Sequence, residues 1–430
     1  MFKKYIQKKL EMRVREYFVR HPEVKLIVVV GSAGKLSTKR AIADILSQKY
    51  RVRMHEGAAY EPAISMLLGI LGIKYPSKAN SILQWLKVLK AAEKRALQPT
   101  DADVVIQELY TEKPGDMARF ARFMVPDMAV VAAVTPEHMN AFGTIEAVAK
   151  EELSISAFAK LTLINRDDIE ARFAEFINTP GFTTYGTSAL AEYHFEINDQ
   201  TPGVGYVGKV VAPEFSEPFT TTLHVVGEHS IRPVMAAVAA AAKFGMTPEE
   251  ITRGMEAVRP VPGRMNVLRG IDDTSIIDDT YNSSPLTAQA AIQALYTFSH
   301  CPTRIAVLAD LTDLGEASQA EHEKLGHMCD PSLLEWVVVV GSQAAQYLAP
   351  AARARGCQVK VCRDAIEAGM FVRSVSEPGA AILVKGPKKG FYMEETVKVL
   401  CNMTEDVSLV RQSADWIALK AAFFERFKSA

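Results

Sequence analysis

The chain lacks most of the features that would place it quickly. It has only five cysteines in 430 residues, an odd number without C-x-x-C spacing. Cys301, Cys329, Cys357, Cys362 and Cys401 all lie in the last third. That argues against a disulfide framework and predicts reduced thiols in a cytoplasmic protein. No apolar run approaches the ~20 residues that a membrane span needs, and the first residues lack the apolar core of a signal peptide. Net charge is −1, so bulk electrostatics predict neither nucleic acid nor an acidic membrane as partner. No internal repeat and no low-complexity segment is found.

The remaining composition, 48% hydrophobic and 23% charged, is that of a soluble globular protein. The length exceeds one ordinary core and predicts two or three domains. Residues 1–20 read as a helix with Phe2, Ile6, Leu10, Val14 and Phe18 near a helical period and basic residues between them. Such a helix could lie on a membrane, but a packing helix with a solvated basic face is the favoured reading.

The strongest local signal is Gly31-Ser32-Ala33-Gly34-Lys35. It follows the apolar run Leu26–Val30, which reads as a buried parallel strand, and precedes a helical pattern from Lys39. Strand, glycine turn, lysine and helix form a phosphate cradle, with backbone N–H groups, a helix dipole and a point charge facing the anion. The next position should carry a hydroxyl for Mg²⁺, and here it is Leu36. Further short strands, at Val104–Ile106, Met128–Val134 and Leu161–Ile164, alternate with helical patterns and predict an open parallel α/β sheet. They carry polar ends: Glu108, His138 beside Glu137, and Asn165-Arg166-Asp167-Asp168. A carboxylate and an imidazole near a triphosphate could hold Mg²⁺. Arg51–Leu71 is mixed, and Ile82, Leu83, Trp85, Leu86, Val88 and Leu89 mark a helix.

From 181 to 226 the chain turns β-rich and predicts antiparallel strands attached to the first sheet. Thr247-Pro248-Glu249-Glu250 opens a helix. Pro260-Val261-Pro262-Gly263 is the best linker, which divides the chain into 1–262 and 263–430. Beyond it, a second, smaller Rossmann-like α/β unit is expected. The tail predicts a helix whose Trp416, Leu419, Phe423 and Phe427 pack on a core.

Taken together, these motifs resemble the Mur ligases, the ATP-dependent enzymes that build the peptide of cell-wall precursors. The likeness is nearest to the branch that adds D-alanyl-D-alanine to a muramoyl tripeptide. The family's loop is similar to Gly31–Lys35, its E-(L/M)-G to Glu108-Leu109-Tyr110, and its A-H-L-E-x-F-G-S-x-E to the segment His138–Glu146. Its G-R and D-D-S-Y-N-A-N-P are similar to Gly263-Arg264 and the segment Asp278–Pro285, and its V-K-G-S-R to Val384-Lys385-Gly386-Pro387-Lys388.

The resemblance implies ATP and Mg²⁺ as cofactors, and an acyl-phosphate formed on a substrate acid and attacked by an amino-acid or dipeptide amine. It implies nucleotide contacts by Gly31, Ser32, Ala33, Gly34, Lys35, Ser37, His229, Arg264 and Asp279. Glu108 and His138 would hold metal, Lys35, His138 and Glu152 would serve the chemistry, and Asn282, Lys385 and Lys388 would meet substrate.

The departures from the family fall on the chemistry. Glu152 stands where the family has a carbamylated lysine, fourteen residues after the histidine. It is either an anion that replaces the carbamate or one charge on a solvated face. The family's adenine-seating G-x-H-N-x-x-N reads Gly227-Glu228-His229-Ser230-Ile231-Arg232-Pro233, without either asparagine. About thirty residues precede the loop, too few for the family's UDP-sugar domain, so a partner protein supplying that grip is one expectation. Two readings follow: an amide ligase, or a nucleotide-binding regulatory module with little or no turnover.

Overall fold

A computed structural model describes residues 2–55, 62–179, 181–403 and 407–428. The first of two sheets has nine strands: β1 (Lys25–Val30), β2 (Val52–Met54), β3 (Val104–Glu108), β4 (Met128–Val131), β5 (Thr162–Asn165), β6 (Phe182–Gly186), β7 (Tyr193–Thr201), β8 (Gly205–Val211) and β9 (Phe219–Leu223). Their order is β2-β3-β1-β4-β5-β6-β7-β8-β9. β1 is buried on both faces: Leu26, Val28 and Val30 enter one core, Ile27 and Val29 the other. This explains its unbroken apolar run, since no face is left for a polar residue. β1 lies between β3 and β4, the switch point where connections diverge and a crevice opens at the strand ends.

One expectation is corrected here. β6 pairs parallel with both β5 and β7, so only the β7-β8-β9 meander is antiparallel. Its β-rich composition marked strands but could not set their direction. The mixed stretch after Arg51 holds β2 and the helix Pro62–Leu71, while 56–61 lie outside the described residues.

Helices cover both faces. α1 (Phe2–Arg20), α2 (Lys35–Leu46), α3 (Pro62–Leu71) and α4 (Ile82–Leu97) come first. α1 buries Ile6, Leu10, Val14 and Tyr17 in the same core as Trp85, Val88, Ala92 and Ala96 of α4. It is therefore a packing helix, although Phe2 is exposed and Tyr17 rather than Phe18 is the buried aromatic. On the opposite face, the helix Ile231–Lys243 lies against α2, its run of buried alanines allowing close approach. The helix opened by Thr247-Pro248-Glu249-Glu250 forms as expected, and its cap is a capping box in which the Thr247 hydroxyl accepts from Glu250 N–H.

The second sheet has six strands: β10 (Asn266–Arg269), β11 (Ser275–Asp279), β12 (Arg304–Ala309), β13 (Trp336–Val340), β14 (Val359–Cys362) and β15 (Ala381–Lys385). Their order is β10-β11-β15-β12-β13-β14, all parallel except β10. The final helix, Ala414–Lys428, packs on this unit through Trp416, Phe423, Phe424 and Phe427. Leu419, expected on that stripe, is exposed, and the neighbouring position is filled by buried Lys420. All five cysteines are free.

Candidate nucleotide and ligation cleft

The loop between β1 and α2 is shaped by what touches it. Gly31 has φ +120°, and a Cβ there would stand 2.8 Å from the Ala133 backbone N and O, so only glycine fits. Ser32 N–H donates to Ala133 O at 3.0 Å, and Ser32 Oγ accepts from Thr135 N–H at 2.6 Å. The loop is thereby tied to the segment leaving β4. α2 starts at Lys35, so its first-turn amides remain open to a ligand.

Glu152 ends the helix Ile145–Leu153 and is 2% exposed. It does not lie on a solvated face: among the three neighbouring glutamates, only Glu146 does. Its Oε2 accepts the Gly31 N–H at 2.7 Å, and Oε1 accepts from the Thr111 hydroxyl. Burial raises its pKa, against the pull of Lys35, Thr111 and Gly31.

Lys35 Nζ donates back to Gly31 O and sits 3.7 Å from Glu137. Burial pushes its pKa down, but Glu137, Glu152 and Glu108 outweigh burial and raise it, so the ammonium stays charged.

Glu108, at the end of β3, pairs with Lys39 at 3.3 Å and accepts from the Tyr110 hydroxyl. Burial raises its pKa, but Lys39, Tyr110 and Lys35 together hold it below the usual carboxylate value. His138 caps a short helix with φ +51° and lies 3.9 Å from Glu137.

The second unit closes the other side. Arg264 lies over the Tyr281 ring, 4.3 Å from its centroid, and its buried Nε has no partner among the described residues. Asp279 accepts from Met265 N–H at 3.3 Å and pairs with Lys385 at 2.6 Å. Gly263, with φ +71°, donates its N–H to buried Asp278 at 3.0 Å, which fixes the chain where it enters this unit. Burial pushes Asp278 up to about 6. Lys385 is 1% exposed and also donates to Asn282 O. It therefore braces Asp279 and the Asn282 loop, where sequence had placed it against substrate. Asn282 Oδ1 accepts from Lys388 N–H, and the Lys388 ammonium lies 6.0 Å from the Tyr281 ring.

Arg411, from the C-terminal segment, donates to Tyr281 O, Thr280 O and Lys388 O and pairs with Glu394 at 2.6 Å.

Between the units runs a cleft touched by Gly34, Ser37, His229, Arg264 and Asp279, with Val225, Pro233, Val234, Val258 and Val261 forming an apolar wall. Burial lowers the His229 pKa to about 4, against the pull of Asp279, so the imidazole is neutral at pH 7. Beside it, Arg232 clamps Asp167 and Asp168 at 3.1 and 2.6 Å.

The cleft and the pocket adjoining it are thus touched by Ala33, Gly34, Ser37, His229, Arg264 and Asp279, while Gly31, Lys35, Glu108 and Glu152 group at the loop beside them. The orphaned Arg264 Nε and the open loop amides fit a phosphorylated ligand. Three carboxylates, Glu108, Glu137 and Glu152, face Lys35, and Lys39 and Arg264 offset part of their charge. Among the described residues no cluster of three or more His, Cys, Asp or Glu could hold a metal alone. An Mg²⁺ would therefore need phosphate oxygens as well.

Sequence reasoning missed Lys39, Tyr110, Thr111 and Arg232. Lys39 was the most accessible of these: it lies four residues after Lys35, on the same helix face.

A phosphate loop at the switch point of one α/β unit, closed by a second, defines a nucleotide-handling enzyme of two units. Comparison with known proteins makes the class specific. Residues 29–241 match the Mur ligase middle domain, and residues 263–388 match the Mur ligase, glutamate ligase domain. The chain belongs to the Mur ligase family.

It is 26% identical over 385 residues to UDP-N-acetylmuramoyl-tripeptide–D-alanyl-D-alanine ligase of Bacillus subtilis, covering 87% of this chain and 76% of that one. The enzyme of the same name from Mycobacterium leprae is 26% identical over 400 residues, covering 84% and 70%. In fold, the chain resembles MurF from Acinetobacter baumannii, with TM-score 0.74, 21% identity, and 91% and 80% of the chains covered. It also resembles Mycobacterium tuberculosis folylpolyglutamate synthase complexed with ADP, with TM-score 0.63, 18% identity, and 89% and 92% covered. These relatives support a ligase and give no support to a silent regulatory module.

Proposed function

We propose that the protein is an ATP-dependent amide ligase that activates a carboxylate of a cell-wall peptide precursor as an acyl-phosphate. An amine then attacks, and the amide forms as phosphate leaves. The observation that carries this reading is the meeting of Gly34 and Ser37 of the first unit with Arg264 and Asp279 of the second across one cleft, with Lys35, Glu108 and Glu152 grouped at the same loop within electrostatic reach of one another.

In this reading the amides at the start of α2 and the Lys35 ammonium bind the terminal phosphates. Their charge offsets the repulsion between a triphosphate and a carboxylate. Arg264 contacts phosphate from the opposite wall, and Asp279, held by Lys385, receives the ribose. The apolar wall takes the base.

Glu152 holds Gly31 and, with it, the curvature of the loop, so the cradle is shaped before nucleotide enters. It is the carboxyl group at the position where the family has a carbamate. Glu108 and His138 would hold an Mg²⁺ that arrives with the nucleotide, and such an ion neutralises phosphate charge when bound. Lys388, beside Tyr281, is placed for an anionic group of the substrate.

The test is phosphate release from ATP with paired acids and amines, UDP-muramoyl tripeptide with D-Ala-D-Ala first. Amine-dependent release with that pair supports the full reading. Release with a different acid or amine keeps the ligase and corrects the substrate. No measurable affinity for ATP, with or without Mg²⁺, would sink it.

A further inference from the structure

α1 and α4 bury one stripe each in the same core, on the same side of the nine-stranded sheet. Their outward stripes are unusual for a chain of net charge −1. α1 carries seven basic residues against two acidic, and α4 four against one. The acids are taken by inward-leaning arginines. Glu16 and Glu93 both pair with Arg13 at 2.6 Å, and Glu11 pairs with Arg119 at 2.7 Å. Lys8, Arg15, Lys87, Lys90 and Lys94 are exposed, and none has a carboxylate partner within ion-pair distance among the described residues.

Large apolar side chains stand between these cations. On α1, Tyr5, Met12 and Val19 are 54, 46 and 73% exposed. On α4, Leu83, Leu86 and Leu97 are 73, 55 and 52% exposed. Helical spacing puts Tyr5, Lys8, Met12, Arg15 and Val19 on one stripe, and Leu83, Leu86, Lys90, Lys94 and Leu97 on another. A solvated face needs the lysines but not the leucines. A stripe that alternates cations with aliphatic and aromatic side chains suits a surface offering anions above an apolar layer.

We propose that the outer face of α1 and α4 is a docking surface for an anionic lipid bilayer, on which the protein rests peripherally. The charge complementarity is local: the rest of the chain must be net acidic to bring the total to −1. The face lies on a helical layer flanking the sheet, whereas the cleft opens at the strand ends, so docking would leave the cleft accessible. The inference does not depend on the ligase reading.

The test is flotation of the full chain with vesicles of phosphatidylglycerol and phosphatidylcholine, against vesicles of phosphatidylcholine alone, at low and high salt. The expected result is binding to the anionic vesicles about tenfold stronger than to neutral ones, lost as salt screens the lysines. Lys87→Glu with Lys90→Glu and Lys94→Glu should abolish binding. Leu83→Ser with Leu86→Ser should weaken it about fivefold, because the apolar contacts add to the charge. All five substituted side chains are exposed, and an unchanged melting temperature and ATP affinity show that the variants are folded. Equal binding to both vesicle types, or binding to neither, overturns the proposal. So does a wild-type dimer that Leu83→Ser with Leu86→Ser dissociates, because a second copy would then cover the face.

Discussion

Two parallel strands end in carboxylates at the same cleft, and the molecule treats them in opposite ways. Asp279 ends β11 and is paired with Lys385, its direct cross-strand neighbour on β15. Both are almost fully buried, at 2.6 Å. Glu108 ends β3 and is paired with Lys39 from a helix, at 3.3 Å, with a phenol and a second ammonium nearby. The first pair is set by sheet register and cannot open without disturbing two strands. The second is set by a side chain on a helix, and Glu108 keeps 11% of its side chain exposed. A buried pair of fixed geometry holds its carboxylate in one place, ligand present or not. A looser pair at the mouth of a phosphate loop can exchange partners when ligand arrives.

This contrast can be broken experimentally. Lys385→Met should have the largest effect, lowering stability by about 3–5 kcal/mol because Asp279 is left buried and uncompensated. Urea denaturation measures the loss, and adding Asp279→Asn should recover much of it. Wild-type stability in the single variant would refute the architectural role. Lys39→Met should cost less, about 1–2 kcal/mol, because Glu108 retains Tyr110 and Lys35. Its larger effect should be on ATP affinity measured without Mg²⁺ by calorimetry, and equal effects on both quantities would erase the distinction.

Glu152→Ala frees the Gly31 N–H and should lower ligation about tenfold, with less loss for Glu152→Gln, which keeps an acceptor. An unchanged rate in Glu152→Ala removes it from the proposed chemistry. The smallest effect concerns His229. Its folded pKa, about 4, lies below the usual 6.5, so the unfolded chain binds more protons between these values. Its contribution to stability is lost as pH falls from 6.5 toward 4, and His229→Gln should flatten that part of the pH–stability curve.

The fold was legible where burial dictates pattern. β1 reads as a strand because both its faces are covered, and the helix Pro248–Ala257 begins just after Thr247 because the cap is local chemistry. The direction of β6 was not legible, since a β-rich strand reads the same either way and the partner decides. The helix α4 was legible, but which of its leucines face solvent was not. Spacing shows an amphipathic helix, but Leu83 and Leu86 lie on the face that Trp85 and Val88 turn away from. For the site, motif order pointed to Lys35, Glu108, Arg264 and Asp279. Lys39 and Arg232 were missed because each works through a partner distant in sequence. The fate of Glu152 needed the structure, since burial of a glutamate leaves no mark on its neighbours.

Arg411 gives the C-terminal segment a place in this chemistry. The matched family region ends at residue 388, yet Glu394 is fully buried and its two cations, Arg411 and Lys420, both lie beyond that end. Cutting the chain at the family boundary removes Glu394 as well, and with it the guanidinium that fastens the carbonyls of Thr280, Tyr281 and Lys388. Cutting just past Glu394 would be worse, because a buried anion would remain with no counter-charge. Electroneutrality, rather than contact with any ligand, makes Arg411 and Lys420 part of the working enzyme.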